Sequence, residues 1–395
     1  MWIMSIAKIG MDCTGCGACK LACPVNCIEW KENREGYCYP LVTDRCIECG
    51  KCERVCPALT VPVHQEEKEV YAAYLKDEGK LMQSSSGGIF TAVAEWVLNQ
   101  GGAVCGCAFD SEMKPGHRIV EEISQLDALK GSKYVESDLG NSYSEVKRLL
   151  QQDRHVFFVG TPCQVAGLKN YLGKQYEKLF TADLICHGVP SRTLFRSYLD
   201  WRESKHQGKL EGYQFRDKRK HGWSLTYSYT ILKKGNRKKR YEGIGSLSPY
   251  YHGFLSGVFY RESCYRCRYA RPERTGDITL GDFWGVETQC PDCFHAEGVS
   301  AILVNSEKGK AMLEQIGRDV VRNPITFDMV VYQNKNLLEP TRRPAVRERI
   351  YEEFSQKGFD WVAKTYLKAP HYCLEQVKSW IPNRVRQKIK RMLRK

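Results

Sequence analysis

The chain has 395 residues, with 60 Lys and Arg against 46 Asp and Glu for a formal charge of +14, and 19 cysteines. At roughly 100–200 residues per domain this length gives two or three domains and excludes a disulfide-built miniprotein, while the odd cysteine count excludes complete intramolecular pairing. The mean hydropathy is −0.47, and the best apolar run, Ile89 to Leu98, is interrupted by Glu95, far short of the roughly 20 residues of a spanning helix, so a soluble protein is expected.

The first residues, Met-Trp-Ile-Met-Ser-Ile-Ala-Lys, lack the charged start, apolar stretch and cleavage-like site of a signal peptide. A cytoplasmic location is therefore expected, and in a reducing compartment abundant cysteine means metal binding or catalysis more often than disulfides. Cys13, Cys16, Cys19 and Cys23 followed by Pro24, and Cys46, Cys49, Cys52 and Cys56 followed by Pro57, both read C-x2-C-x2-C-x3-C-P, the second run repeating the first 33 residues on. This is the bacterial two-cluster ferredoxin pattern, in which three closely spaced thiolates hold one cluster and the fourth ligates the other. It assigns Cys13, Cys16, Cys19 and Cys56 to one [4Fe–4S] cluster, and Cys46, Cys49, Cys52 and Cys23 to a second. Structural zinc also uses C-x2-C pairs, but as four ligands per ion, with no use for two matched runs each ending in proline. Cys27 and Cys38 fall outside the pattern and are expected to pack as small hydrophobes.

Residues 1–60 thus read as a two-cluster ferredoxin-like domain, and the proline and charged residues over 61–70 as a linker. Val70 to Leu75 reads as a strand. Ser84-Ser-Ser-Gly87-Gly88 then leads into a helix over Ile89 to Leu98, whose free N–H groups suit a phosphate, with ordinary N-capping by serine as the alternative. A buried strand is expected over 102–109, where Cys105 and Cys107 are expected to pack, followed by a helix over Ser144 to Leu150. The strand His155 to Val159 runs into Gly160-Thr-Pro-Cys163-Gln, and Leu179 to Ile185 into Cys186-His187-Gly188. Strands alternating with helices indicate a mixed α and β fold of α/β type, with sites at the carboxyl ends of its strands, where Cys163 and Cys186 fall.

Residues 213–241 read as a β-hairpin with Tyr227 to Leu232 as a strand and the basic run Lys233 to Arg240 at its turn, most simply a solvated surface. Cys264-Tyr-Arg-Cys267, Gly281-Asp282-Phe-Trp284-Gly285 and an unassigned Cys290-Pro-Asp-Cys293 follow. The larger domain is expected over 71–335, and 336–395 as a helical C-terminal region. Its end, Lys378 to Lys395, carries eight Lys and Arg without an acid, interleaved with apolar residues. Such an amphipathic helix suits an anionic membrane surface at the cytoplasmic face or an acidic partner, or is a plain basic surface helix. No nucleic-acid-binding signature appears, and no nucleic acid is expected.

Taken in this order, the two cysteine runs, Thr161-Pro-Cys-Gln164, Ile185-Cys-His-Gly-Val-Pro190 and Gly281-Asp-Phe-Trp-Gly285 resemble the coenzyme F420 hydrogenase/dehydrogenase beta-subunit family, over roughly residues 10–330. That family also includes hydroxymethyl-chlorophyll reductase. The resemblance implies FAD alongside iron–sulfur clusters, in a larger α/β flavin-binding domain after the ferredoxin domain. Ser85, Ser86, Gly87 and Gly88 match the family's glycine-rich turn, which would hold part of the FAD. Lys133 and Tyr134 match a segment near the same pocket, and Thr161, Pro162 and Gln164 another pocket-forming turn. Relatives also carry a cluster within the flavin domain, and the matching residues are Cys163, Cys186, Cys264 and Cys267, which makes a third [4Fe–4S] cluster an expectation. His187 and Asp282 are candidate proton donors or orienting groups, or else a satisfied core histidine and a turn aspartate.

Electrons are thus expected to enter from ferredoxin or a redox partner subunit, cross the clusters to FAD, and reduce a small organic substrate or a deazaflavin-like coenzyme, or to run in reverse. The flavin bridges one-electron clusters and two-electron substrate chemistry. The alternative is an electron-transfer subunit of a larger redox complex, with no substrate site of its own.

Overall fold

The computed structural model describes residues 6–61 and 69–368, with the single positions Gln376 and Val385. Most of the expected linker, Cys373 and nearly all of the basic tail from Lys378 lie outside the described residues.

In the N-terminal unit, β1 (Ile28–Glu32) and β2 (Cys38–Val42) pair as an antiparallel hairpin. Each cysteine run wraps around a short helix, Ala18–Ala22 or Lys51–Arg54. Gly17 (φ 75°) and Gly50 (φ 67°) stand directly before these helices. Left-handed backbone at these points turns the chain between the second and third cysteine of each run, and glycine adopts it without a Cβ clash.

The larger unit contains β3 (Glu69–Leu75), β4 (Ala103–Phe109), β5 (Pro115–Val120), β6 (Val156–Gly160), β7 (Leu179–Leu184), β8 (Lys209–Gln214), β9 (Thr226–Lys233), β10 (Arg237–Ile244), β11 (Ile278–Asp282), β12 (Ser300–Val304) and β13 (Val320–Pro324). Eight of these form one mixed sheet in the order β13-β3-β12-β11-β7-β6-β4-β5. β4, β6, β7 and β11 run parallel at its centre, and antiparallel strands extend it on both sides. The core strand β6, Val156-Phe-Phe-Val-Gly160, is apolar without alternation because both faces of the sheet are covered. Phe157 packs with Val93 and Val97 of the Ile89–Asn99 helix. Its neighbour Phe158 points the other way, to Val146 and Leu149 of Ser142–Gln151 and Val165 of Pro162–Leu172. The α/β architecture expected from the strand and helix pattern is therefore present.

Two local expectations are corrected. The basic run Lys233 to Arg240 is not all turn. Gly235 (φ 74°) and Asn236 (φ 59°) reverse the chain within three residues, leaving Arg237 to Arg240 to pair with β9 as the first half of β10. Part of its charge is matched internally, by Lys238 with Glu211 and Arg240 with Asp217. The helix at Ile89 is not capped by a serine. Gly88 (φ 82°) occupies the cap position, while the Ser84 hydroxyl bonds to Lys80 O and Thr91 Oγ1 instead.

The two units are joined through buried charge. The Arg261 guanidinium donates to Cys13 O (2.6 Å), Cys38 O (2.7 Å) and Glu136 Oε1 (2.7 Å). Arg347 bonds to both Glu35 and Glu262, and Tyr269 OH donates to Pro57 O at 2.6 Å. Burial opposes the charge on Arg261, but Glu136 and the nearby Cys13 hold the guanidinium protonated.

Candidate functional site

One cavity of about 640 Å³ opens at the carboxyl ends of the four parallel strands, the position that this sheet topology favours for ligands. It is lined by Gly106 and Cys107 of β4, Gly160 to Gln164 after β6, Ile185 to Val189 after β7, and Asp282 and Trp284 at the end of β11. Strand-to-helix connections bring these residues together from points far apart in sequence.

Two helices begin at the cavity. The Ile89–Asn99 helix has no side-chain cap, and Ile89, Phe90 and Thr91 of its first turn line the space. Gly87 and Gly88 let the turn seat itself on the sheet. A Cβ on Gly87 would lie 2.1 Å from Ala73 O and 2.6 Å from Ser300 N, and one on Gly88 would lie 2.4 Å from Leu75 Cδ1. Ser300 Oγ accepts from Gly87 N, and Ser86 Oγ donates to Val299 O, both at 3.0 Å. The Ser85 hydroxyl accepts from Ser132 N at 2.8 Å and so ties the turn to the 131–137 segment. The second helix, Pro162–Leu172, starts with proline in its first turn, where the missing N–H costs nothing. Gln164 Oε1 accepts from Thr161 N at 2.9 Å, and Gln164 Nε2 donates to Ser137 Oγ at 3.3 Å.

Lys133 and Tyr134 line the cavity, but both are engaged. Lys133 Nζ donates to the carbonyls of Ala128, Leu129 and Lys130 at 2.8–3.2 Å, and burial pushes its pKa down to about 8. Tyr134 stacks on Phe254 at 4.5 Å and accepts from Arg216 through its hydroxyl. Asp282 is gripped by Arg216 Nη1 (2.7 Å), Arg216 Nη2 (3.0 Å) and Trp223 Nε1 (2.6 Å). Trp223 stacks on Trp284 at 4.8 Å with the rings almost parallel, and the Arg216 guanidinium lies 4.9 Å from the Trp284 ring centre. His187 lines the cavity too. Burial lowers its basicity, and the nearby Asp282 opposes that.

The cysteines fall into three groups. Cys16 and Cys19 are raised by burial and by mutual repulsion with Cys13 and Cys56, which brings the last cysteine of the second run to the first run. Conversely, Cys23 lines one small hollow with Cys46, Cys49 and Cys52. Gly15 N donates to Cys13 Sγ at 3.4 Å and Cys27 N to Cys23 Sγ at 3.3 Å. The third group faces the cavity. Burial and neighbouring thiolates push Cys163 and Cys186 up to about 12, and Cys264 is raised by the same causes, with Cys163, Cys186 and Cys267 as its neighbours. Cys163, Cys186, Cys264 and Cys267 all line the cavity, and soft sulfur donors suit iron, but among the described residues no three Cys, His, Asp or Glu side chains stand close enough to hold a metal ion as they lie.

Asp183 anchors the 274–279 segment, whose Arg274 lines the cavity. Burial opposes its charge, but Arg274, the Gly276 amide and the Thr279 hydroxyl keep its carboxyl below the usual range. The segment after Cys267 is thereby tied to β7.

Residues 153–322 match a family model described as the C terminus of the coenzyme F420 hydrogenase/dehydrogenase beta subunit, and residues 12–60 match the 4Fe-4S dicluster domain. Residues 153–322 belong to the F420 hydrogenase/dehydrogenase beta-subunit family. The dicluster match supports two [4Fe–4S] clusters in the N-terminal unit, and the beta-subunit domain follows it, so the chain is an iron–sulfur oxidoreductase of the electron-transfer kind. Among solved structures, a chain of the F420-reducing [NiFe] hydrogenase complex from Methanosarcina barkeri, studied by xenon derivatization, aligns with a TM-score of 0.39 at 15% identity. The alignment covers 77% of this chain and 92% of that chain. No curated protein matches the sequence. Among the described residues no helix is long and apolar enough to cross a membrane.

Sequence reasoning missed several residues around the beta-subunit cavity. His117 lines it, with Nδ1 at 2.7 Å from Ser137 Oγ and Nε2 at 3.0 Å from Val159 O. The bonds of Arg216 and Trp223 to Asp282, of Arg261 to Glu136 and of Arg274 to Asp183 also escaped notice, because each pair is tens to hundreds of residues apart. The unassigned Cys290 and Cys293 are joined as a disulfide. Cys105 is fully buried in the core, whereas Cys107 faces the cavity.

Proposed function

We propose that this chain is an iron–sulfur flavoprotein oxidoreductase whose cavity takes FAD and whose Cys163, Cys186, Cys264 and Cys267 take a third [4Fe–4S] cluster. The observation that carries the reading is the shared wall: two helix starts and four neighbouring cysteines open on one cavity at the carboxyl ends of the parallel strands. A helix start with free N–H groups attracts an anion, so the Ser85 to Gly88 turn with the first turn of the Ile89–Asn99 helix would receive the pyrophosphate. Thr161, Pro162 and Gln164 would shape the same pocket beside the cysteines, and Lys133 and Tyr134 would hold its rim.

A flavin bound there would supply the exchange between one-electron clusters and two-electron chemistry on a small organic substrate or a deazaflavin-like coenzyme. His187, kept neutral by burial, would offer one ring nitrogen for proton donation or hydrogen bonding. Asp282, with its oxygens taken by Arg216 and Trp223, would orient the Trp284 wall. Ferredoxin or a redox partner subunit would exchange electrons with the N-terminal clusters.

Anaerobic purification followed by iron, sulfide and flavin quantitation tests this reading. About twelve irons and one FAD per chain are expected, given four irons per cluster. A value near eight removes the third cluster, and absence of flavin removes the flavoprotein. Turnover of an organic substrate with reduced ferredoxin or dithionite alone supports the enzyme reading. A flavin reducible only within a complex would make the chain an electron-transfer subunit without its own substrate site. Loss of partitioning to anionic vesicles on deleting residues 378–395 would assign membrane contact to the basic tail.

A further inference from the structure

The two N-terminal cysteine groups differ sharply in exposure. Cys13, Cys16, Cys19 and Cys56 are all buried, and the segments that carry them meet the larger unit: Arg261 reaches Cys13 O, Tyr269 reaches Pro57 O, and a Cβ on Gly167 would lie 3.1 Å from Cys16 Sγ. In the other group only Cys52 is buried. Cys23 and Cys46 are half-buried, and Cys49 is exposed. A cluster held by the second group thus lies at the surface, on the side away from the cavity, and the first group lies between.

The surface around Cys49 has its own chemistry. Ile47, two residues before it, is 60% exposed, the largest value for a big apolar side chain among the described residues. It borders the same hollow as the exposed Pro24 and the cysteines. An isoleucine so exposed loses hydrophobic stabilisation that a partner surface would restore. The exposed charges beside it are Asp44, Arg45, Glu48 and Lys51, two of each sign. The charges of this immediate rim cancel, so its short-range recognition is left to the apolar centre.

We propose that the face formed by Pro24, Ile47 and Cys49 is the docking surface for a small one-electron carrier protein whose own redox centre lies at its surface. One electron leaves the reduced carrier and reduces the Cys23/Cys46/Cys49/Cys52 cluster by one; no bond forms and no proton is required. The contact is small and apolar, in the size class of transient redox encounters, below about 1,200 Å², with Ile47 at its centre. This inference rests on the electron-transfer reading of the N-terminal unit.

The experiment is stopped-flow reduction of the full-length, cluster-loaded chain, with reduced bacterial two-cluster ferredoxin as the carrier and dithionite as a small reductant that needs no docking face. Ile47→Glu is expected to raise the ferredoxin concentration for half-maximal rate about tenfold or more, with iron content and the reduced-cluster spectrum retained. Ile47→Ser, which adds no charge, should shift it in the same direction by less. Ile123→Glu, at an exposed isoleucine of the larger unit, should leave it unchanged.

An unchanged half-saturation in both Ile47 variants, or an equal loss in Ile123→Glu, would overturn the proposal. Clusters that accept electrons from ferredoxin in the wild type while the bound flavin stays oxidised would instead overturn the functional reading and leave the docking face standing.

Discussion

Arg261 Nε lies 2.6 Å from the carbonyl oxygen of Cys13, so the backbone of the first cysteine of the first run is held by a side chain 248 residues away. The same guanidinium pairs with buried Glu136 and with Cys38 O. One side chain therefore fixes the first cysteine run against the wall of the cavity.

Replacing Arg261 should be costly. In Arg261→Met, Glu136 remains buried without its partner, and a loss of about 3–5 kcal/mol is expected. Arg261→Lys should recover only part, because one ammonium cannot reproduce the planar fork that serves three acceptors. Denaturant unfolding measures both, and a loss under about 1 kcal/mol for Arg261→Met would show that the joint is carried elsewhere.

The crossing of the cysteine runs predicts which double variants share a fate. Cys13→Ala with Cys56→Ala removes two ligands from one cluster and should cost about four irons, leaving one reduced-cluster EPR signal intact. Cys13→Ala with Cys23→Ala touches both clusters and should disturb both signals. If the first pair disturbed both signals and the second pair only one, the crossed assignment would be wrong.

The glycine-rich turn should tolerate nothing larger at Gly87. Gly87→Ala drives a methyl group against Ala73 O and Ser300 N, both fixed in strands, so a loss of about 3 kcal/mol or more is expected, together with lower flavin content. Gly131→Ala makes the contrast. Its φ of 84° is strained for alanine, but nothing lies within 4 Å, and a loss of about 1–2 kcal/mol should suffice. Thermal unfolding and flavin-to-protein absorbance ratios measure both.

His117 gives the protein a pH-dependent stability with a definite sign. Burial lowers its pKa to about 4, against about 6.5 in the unfolded chain. Between these values the unfolded state binds the extra proton. The contribution is therefore fully present above pH 6.5 and is lost as the pH falls towards 4, by about 3 kcal/mol at most. His117→Gln should flatten this part of the stability profile. An unchanged slope between pH 6.5 and 5 in the variant would assign the dependence to other groups.

The paired cysteine runs were legible in the sequence because a two-residue gap is a local constraint: three thiolates can close on one cube only if the chain turns tightly, and Gly17 and Gly50 mark such turns. Alternation of apolar runs and helix starts also gave the α/β core, since Val156 to Val159 is buried on both faces whatever lies against it. The basic hairpin was misjudged where charge pattern stood in for backbone: Gly235 and Asn236 complete the turn, and the lysines and arginines after it pair as a strand.

The cavity is a different matter. Gly87 meets Ser300 and Arg216 meets Asp282, while Cys163 and Cys264, about a hundred residues apart, line one cavity with the residues that follow β6, β7 and β11. By itself the sequence determined the two matched cysteine runs and where strands end, because those properties depend on neighbours a few positions away. Only the tertiary structure decided which cysteine group lies at the surface, which charges are already matched, and which side chains share one wall, because burial and pairing are set by contacts between segments that the chain order keeps far apart.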